Sequence, residues 1–317
     1  MKNILSYITP DMSHVNIFTH QNCLDGAVSA AILQYWLLGY LSNGEVAIHE
    51  VSYATVDEVF ECVHSDSPYG LSVFTDMRPS RTVINRIVAE SLDMHPRVLL
   101  VDHHASAIDL AQYPWALVDT RYAASLLIAR LVSEIDPTMM QILPLAQLAD
   151  EHDRWIHLTD ASVNLALAFQ SFGSEWIESM TRQLVAERFT LHELLSKRHV
   201  EYAVHNAQRH RDDAIKRAIE QTKIFDDHMG YVVAHSLATQ FTSEVGEGLY
   251  RRFPRVDYVS LWNPIDGSVS LRSGMDQLGS LHMIAEQFGG GGHPHAAGYR
   301  DDGQWYIKYS QAKKEVD

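Results

Sequence analysis

The sequence predicts an α/β protein: a parallel-sheet N-terminal domain, a helical linker and a smaller α/β C-terminal domain. Three observations predict it. Short apolar β-type runs alternate with helical patterns through the first half, and each run breaks into a polar cluster. A charged helical stretch without proline then runs from Glu175 to about Thr222. Beyond Lys223 short strand patterns return, separated by turn residues. At 317 residues the chain is about twice a typical single domain. The expected division is 1–195, a linker at 196–225, and 226–317.

The elements follow in order. Residues 16–19, Asn-Ile-Phe-Thr, read as a short strand that opens into the polar loop His20 to Gly26. Gly26 is expected to let that loop turn into an apolar helix over 27–38. Residues 46–53 and 71–75 read as further strands, the second ending at Asp76. Pro79-Ser80 opens a helix to about Ser91, and 97–101 is a fourth strand ending at Asp102-His103-His104. Ligands of such sheets bind outside the carboxyl ends of the strands, where all these polar clusters fall. Residues 122–153 are helical with a break at Pro137. In the last third, 231–235, 256–262 and 268–272 read as strands, with a turn at 263–267. A helix over 278–288 leads into Gly289-Gly290-Gly291-Gly292-His293.

Composition limits the function classes. With 25 Lys and Arg against 40 Asp and Glu the formal charge is −15, and no dense basic stripe is present. Duplex DNA and other long polyanions are therefore poor partners, whereas a small anion held by a few positive groups and metal ions is compatible. No run approaches 18 apolar residues, so no spanning helix and no membrane partner are expected. The N-terminus lacks a signal-peptide pattern and the two cysteines cannot make a disulfide framework, which together point to the cytoplasm.

Four clusters are candidates for chemistry. Asp102-His103-His104 places a carboxylate and two imidazoles at one strand end, which suits a divalent metal; a chance surface cluster in a chain with 18 histidines is the alternative. Asp76 ends its strand in the same way. The first loop holds His20, Asn22, Cys23 and Asp25, and Asp150, His152 and Asp153 end a helical run. Several carboxylates packed together are costly unless a cation sits among them. Carboxylates with imidazoles favour Mn²⁺, with Mg²⁺ the alternative, over a structural zinc. A bridging aspartate would hold two ions about 3.5–4 Å apart, an arrangement that activates water for displacement at phosphorus. The glycine run exposes backbone N–H groups and suits a phosphate or carboxylate, although such runs are commonly plain flexible loops.

These motifs in this order resemble the DHH phosphoesterase superfamily with its DHH-associated C-terminal domain, including RecJ-like and oligoribonuclease-like members. The residues that carry the resemblance are Asp102-His103-His104-Ala105, the loop from His20 to Gly26, Asp76, residues 151–155 (Glu-His-Asp-Arg-Trp), Arg272 and the run from Gly289 to Gly298. The resemblance implies two Mn²⁺-type ions in the first domain and a phosphodiester or phosphoanhydride held between the domains. It implies His20, Asp25, Asp76, His103 and Asp153 as ligands, with Asp76 as the bridge. Asp102 would orient a metal-bound group and His104 would face phosphate or the second ion. Arg272, Gly290, Gly291, Gly292 and His293 would bind substrate phosphate.

The first loop departs from the family's Asp-x-Asp-Gly: Cys23 stands in the first Asp slot, as in a subgroup with an NCxDG form. Cys23 is either a further ligand or a residue packed beneath the loop. Asp150 competes with Asp153 as the fourth-motif ligand, and Asp153 is preferred. Arg78 reads as a surface arginine, Ser243 as a helix N-cap, and Tyr122 and Ser125 as core or solvent-facing groups. The function implied is hydrolysis of short single-stranded oligonucleotides or of linear or cyclic dinucleotides, in a protein that allows a homodimer. An exopolyphosphatase and a non-hydrolysing nucleotide sensor are the alternatives.

Overall fold

The computed structural model describes residues 3–66, 70–90, 97–156, 159–274 and 278–301. Its packing divides the chain into two compact units, Met1–His205 and Asn206–Asp317. Ser91, and residues 302–317 of the expected second domain, lie outside the described residues.

The first unit is built on a five-stranded, all-parallel sheet. Its strands are β1 (His14–His20), β2 (Glu45–Val51), β3 (Leu71–Thr75), β4 (Val98–Asp102) and β5 (Ala116–Val118), in the order β2-β1-β3-β4-β5. Every residue of β3 and β4 is buried, as expected for central strands covered on both faces. The helices that follow the first three strands are α1 (Leu24–Tyr40), α2 (Val56–Asp66) and α3 (Arg81–Glu90). The strand order reverses at β1, so the carboxyl ends of β1 and β3 flank a topological switch point.

α1 is buried on all sides along its first ten residues, which are apolar or small except for Asp25. It packs on β1, on α4 (Ala124–Ile135), on α5 (Leu143–Asp153) and on α7 (Ser174–Val185). Asp25 and Gly26 belong to this helix's first turn, so Gly26 is not the turn residue that the sequence suggests. It is needed for close approach, because a Cβ there would lie 2.7 Å from the His20 carbonyl oxygen and 2.8 Å from Thr19 Oγ1.

The stretch expected as one helix from 175 to 222 is three: α7, α8 (Leu191–Leu195) and α9 (Arg198–Gln221). Arg188 adopts a left-handed φ of 58°. Thr190 then starts α8 with a capping box, its hydroxyl accepting from Glu193 N while the Glu193 carboxylate accepts from Thr190 N. That Thr-x-x-Glu signal is present in the sequence. Residues 160–172, passed over in the sequence, form α6 (Asp160–Phe172).

The second unit carries a six-stranded mixed sheet in the order β10-β11-β9-β8-β7-β6. The strands are β6 (Lys223–Asp226), β7 (Val232–Leu237), β8 (Tyr258–Trp262), β9 (Ser268–Arg272), β10 (Gly291–His293) and β11 (Ala296–Arg300). Among the described residues, α9 from Asn206 onward, α10 (Thr242–Arg252) and α11 (Leu281–Glu286) complete it. The turn between β8 and β9 falls at 263–267 as expected, closed by Gly267 N donating to Asn263 O. Among the described residues no helix is long and apolar enough to cross a membrane.

His235 on β7 is buried, with Nδ1 3.2 Å from Ser260 Oγ. Burial and the nearby Lys223 charge push its pKa down to about 4 from 6.5. The unfolded chain therefore binds more protons between those values, and stability present above pH 6.5 falls as the pH drops toward 4. The loss attributable to this residue is about 3 kcal/mol at pH 4. Urea unfolding of the full chain at pH 7.5 and pH 4.5 is expected to show a smaller pH dependence in His235→Gln than in the unsubstituted chain. Equal dependence would contradict the assignment.

Candidate metal centre

The sequence motifs of the first unit converge at the carboxyl end of its sheet. His20 is the last residue of β1, Asp76 follows β3 directly, and Asp102 ends β4. Three of the five non-glycine residues with left-handed φ among the described residues lie in these motif segments: Asn22 at 55°, Asp76 at 58° and Trp155 at 56°. Backbone strain thus concentrates where side chains must be aimed.

His103 is the centre of the cluster. Its Nε2 lies 3.2 Å from Asp76 Oδ1, 3.3 Å from Asp153 Oδ2 and 3.9 Å from Asp25 Oδ2. Burial opposes charge on this imidazole, but the Asp76 hydrogen bond and the Asp153, Asp25 and Asp76 charges push its pKa up to about 10. The carboxylates respond unequally. Burial, with the Asp76 and Asp153 charges, holds the Asp25 carboxyl well above its ordinary range. Burial also raises Asp153, against the attraction of His103. Asp76 is raised by burial, yet the His103 hydrogen bond and the charges of His104, His103 and His20 bring it below the carboxylate range.

Asp25 is fully buried and is held by the N-terminus of α4. Its Oδ2 accepts from Ala124 N and its Oδ1 from Ser125 N, both at 2.9 Å. Ala123, at the cap position, offers no side-chain bond of its own. Instead its N–H donates to Asp150 Oδ1 at 2.7 Å. Arg154 grips the same carboxylate with Nε and Nη2, at 2.8 and 2.6 Å. Asp150 is therefore committed to α4 and Arg154, while Asp153, three residues on, faces His103. Sequence reasoning missed this double cap. The signal was a helix start, Tyr122-Ala123-Ala124, with no capping residue and only small side chains at its first turn.

Asp102 is also buried, and its Oδ1 accepts from the backbone N–H of His103 and His104 and lies 2.7 Å from His104 Nδ1. This fixes the His104 imidazole and the backbone of His103, as a carboxylate behind a ligand would. Cys23 precedes α1 without a side-chain capping bond, and burial with the Asp76, Asp153 and Asp25 charges pushes its thiol pKa well up. Tyr53 stands at the rim with its ring 5.5 Å from that of His20. Desolvation and the Asp102 and Asp76 charges push its pKa well up. Arg78 Nη1 donates to Ser106 O at 2.7 Å. Ser125 is buried and helps cap onto Asp25, and Tyr122 packs its ring 4.0 Å from the Arg130 guanidinium.

The donor set fits divalent cations. Ligand atoms of His20, Cys23 and Asp76 lie within 4.8 Å of one another, as do those of Asp25, Asp76 and His103, so Asp76 belongs to both groups. Asp76 Oδ2 and Asp102 Oδ2 are buried with no hydrogen-bond partner. Buried carboxylate oxygens left bare of donors are costly unless a cation lies beside them.

In the second unit, Arg272 Nη2 donates to Ser243 Oγ at 3.1 Å and Nη1 to Leu271 O at 2.9 Å. Ser243 is not the N-cap expected from sequence: the cap falls two residues earlier, at Phe241 in a left-handed conformation, and α10 starts at Thr242. The glycine run is not a loop of exposed N–H groups either. Gly289 N donates to Glu286 O and Gly290 N to Ala285 O, ending α11, with Gly289 at a φ of 75°. Gly291, Gly292 and His293 form β10, paired with Gly298, Ala297 and Ala296. The run is spent first on stopping a helix and then on an edge strand.

No protein-family model matches the chain. It is 26% identical over 215 residues to oligoribonuclease NrnB of Bacillus subtilis (strain 168), a match covering 64% of this chain and 52% of that protein. The match thus spans about half the length of this curated relative. Among solved structures, the DHH domain of a protein described as a member of a ribosomal-protein family matches with TM-score 0.59 at 12% identity, over 97% of this chain and 86% of that one. RecJ of Thermus thermophilus in complex with Mn²⁺ matches with TM-score 0.56 at 15% identity, over 94% and 51%. An exopolyphosphatase-related protein of Bacteroides fragilis matches with TM-score 0.51 at 12% identity, over 94% and 89%. The fold resembled in the motifs is the fold observed: two α/β units, as in the DHH-domain proteins.

At pH 7.5 Mn²⁺ binding should release protons, because His103 holds one until an ion displaces it. Calorimetry in buffers of different ionisation enthalpy measures this, and binding without proton release would contradict it. Asp150→Asn should weaken Mn²⁺ binding by about 10- to 100-fold through the loss of positioning. Unchanged affinity would show that the Ala123–Asp150–Arg154 contact is structural only.

Proposed function

We propose that this chain, which has the fold of the DHH-domain proteins, is a metal-dependent phosphodiesterase acting on short single-stranded oligonucleotides or on linear or cyclic dinucleotides. The observation that carries the reading is the ring of Asp25, Asp76 and Asp153 around His103 Nε2 at a topological switch point, with Asp76 Oδ2 buried and bare. The similarity to oligoribonuclease NrnB supports the substrate class. The −15 charge supports a short substrate over a long strand.

In this reading His20, Cys23, Asp25, Asp76, His103 and Asp153 hold two Mn²⁺ or Mg²⁺ ions. Bound there, such ions supply a nucleophile at neutral pH and compensate charge on the displaced oxygen. The chain's own residues do the positioning. The α4 N-terminus fixes both oxygens of Asp25. Asp102 holds His103 through its backbone and His104 through Nδ1, so that His104 Nε2 is the atom that holds a proton against a substrate oxygen. In the second unit, Arg272 and His293 are the anion contacts, while Gly290, Gly291 and Gly292 contribute as helix stop and edge strand.

The test is purified protein with Mn²⁺ against di- to pentanucleotides, cyclic dinucleotides and polyphosphate. The expected result is release of mononucleotides that chelation abolishes and Asp76→Ala reduces to background. Orthophosphate release from polyphosphate without nucleotide cleavage would overturn the substrate assignment. Tight nucleotide binding without turnover would make the protein a sensor instead.

A further inference from the structure

Tyr53 lies outside every motif that carries the reading above. It sits at the carboxyl end of β2, the edge strand beside β1. Its turn is pinned on both sides. Ser52 N donates to Thr55 Oγ1 at 3.0 Å, and Thr55 N and Val56 N return to Ser52 O at 3.0 and 2.9 Å. Val51 O accepts from Gln21 N at 2.9 Å, tying this end of β2 to the loop that carries Cys23. The aromatic side chain is therefore presented from a pinned turn beside the carboxyl end of β1.

Its exposure is unusual for a tyrosine so placed. The residue is 53% exposed, with its ring tilted 55° against His20. Asp102, Asp76, Cys23 and Arg78 act electrostatically on its hydroxyl. The hydroxyl makes no hydrogen bond with any described residue, and its ring lies against His20, whose Nδ1 is 4.0 Å from Asp76 Oδ2. Two neighbouring donor atoms are engaged elsewhere: Arg78 Nη1 by Ser106 O and Asp109, and His104 Nδ1 by Asp102. A phosphodiester brought to an acidic site needs neutral or positive donors toward its non-bridging oxygens, since carboxylates only repel them.

We infer that Tyr53 is a substrate-contacting residue whose hydroxyl donates to a non-bridging oxygen of the phosphate bound at the Asp76 site. The contact is to phosphate and is indifferent to the base, so it serves all short phosphodiesters alike. It rests on the phosphodiesterase reading.

The test compares the unsubstituted chain with Tyr53→Phe and Tyr53→Ala in the presence of Mn²⁺. The substrates are a diribonucleotide and bis(p-nitrophenyl) phosphate, which has no base, and calorimetry follows binding of adenosine monophosphate. Tyr53→Phe is expected to lower kcat/KM on both esters by about 10- to 100-fold, the cost of one donor lost from a charged acceptor. It should weaken nucleotide binding in proportion, with Mn²⁺ affinity and Tm unchanged. Tyr53→Ala should add little.

Full activity and binding in Tyr53→Phe would overturn the inference. So would a loss confined to Tyr53→Ala, which would make the ring a stacking surface, or a loss of Mn²⁺ affinity, which would place Tyr53 in the metal centre. If the unsubstituted chain cleaves neither ester, the phosphodiesterase reading fails. The nucleotide-binding comparison then still decides whether the hydroxyl contacts phosphate.

Discussion

The first unit is organised around one electrostatic constraint: three carboxylates, the buried Asp25 and Asp76 and the partly exposed Asp153, share a single imidazole nitrogen. Their mutual repulsion in a medium that excludes water is large, and one protonated histidine offsets only part of it. The unequal response of the three carboxyls records this. Two are driven toward their neutral forms and one is held ionised by the histidines around it. Divalent cations would resolve the conflict, because they would place positive charge where the buried oxygens lack donors.

The surrounding fold is arranged to sustain that cluster. A parallel sheet brings strand ends together, and the reversal of order at β1 opens a crevice between the ends of β1 and β3. α1 is buried on all sides along its first ten residues, so Asp25 on its first turn cannot retreat to water. The N-terminus of α4 supplies fixed N–H donors to Asp25 and Asp150. One helix end thus ties the first motif to the fourth, although Asp25 and Ser125 are 100 residues apart. Left-handed backbone at Asn22, Asp76 and Trp155 is sustained by the packed core beneath these segments.

Much of this was legible in the sequence because it is local. Strand ends, the Asp102-His103-His104 triplet and the 263–267 turn depend on residues adjacent in the chain. The parts that were not legible depend on distant partners or on competing local signals. Asp150 could not be separated from Asp153 until Arg154 and Ala123 were seen to claim Asp150. The long helix after Glu175 broke because a left-handed Arg188 and the Thr190–Glu193 box outweighed a continuous helical composition. The glycine run looked like an anion nest, since sequence does not reveal that its first two N–H groups return to α11. Tyr53 carried no motif at all; only the turn at Ser52–Thr55 and the pairing of β2 with β1 bring it to the site.

The central claim is that the buried carboxylates exist to hold a pair of cations. Anomalous scattering at the manganese edge, from crystals of the protein grown with Mn²⁺, tests it most directly. The account predicts two peaks with Asp76 between them, one also touched by His20 and the other by Asp25, His103 and Asp153. Density with no peak at Asp76, or a lone peak elsewhere on the surface, would contradict it.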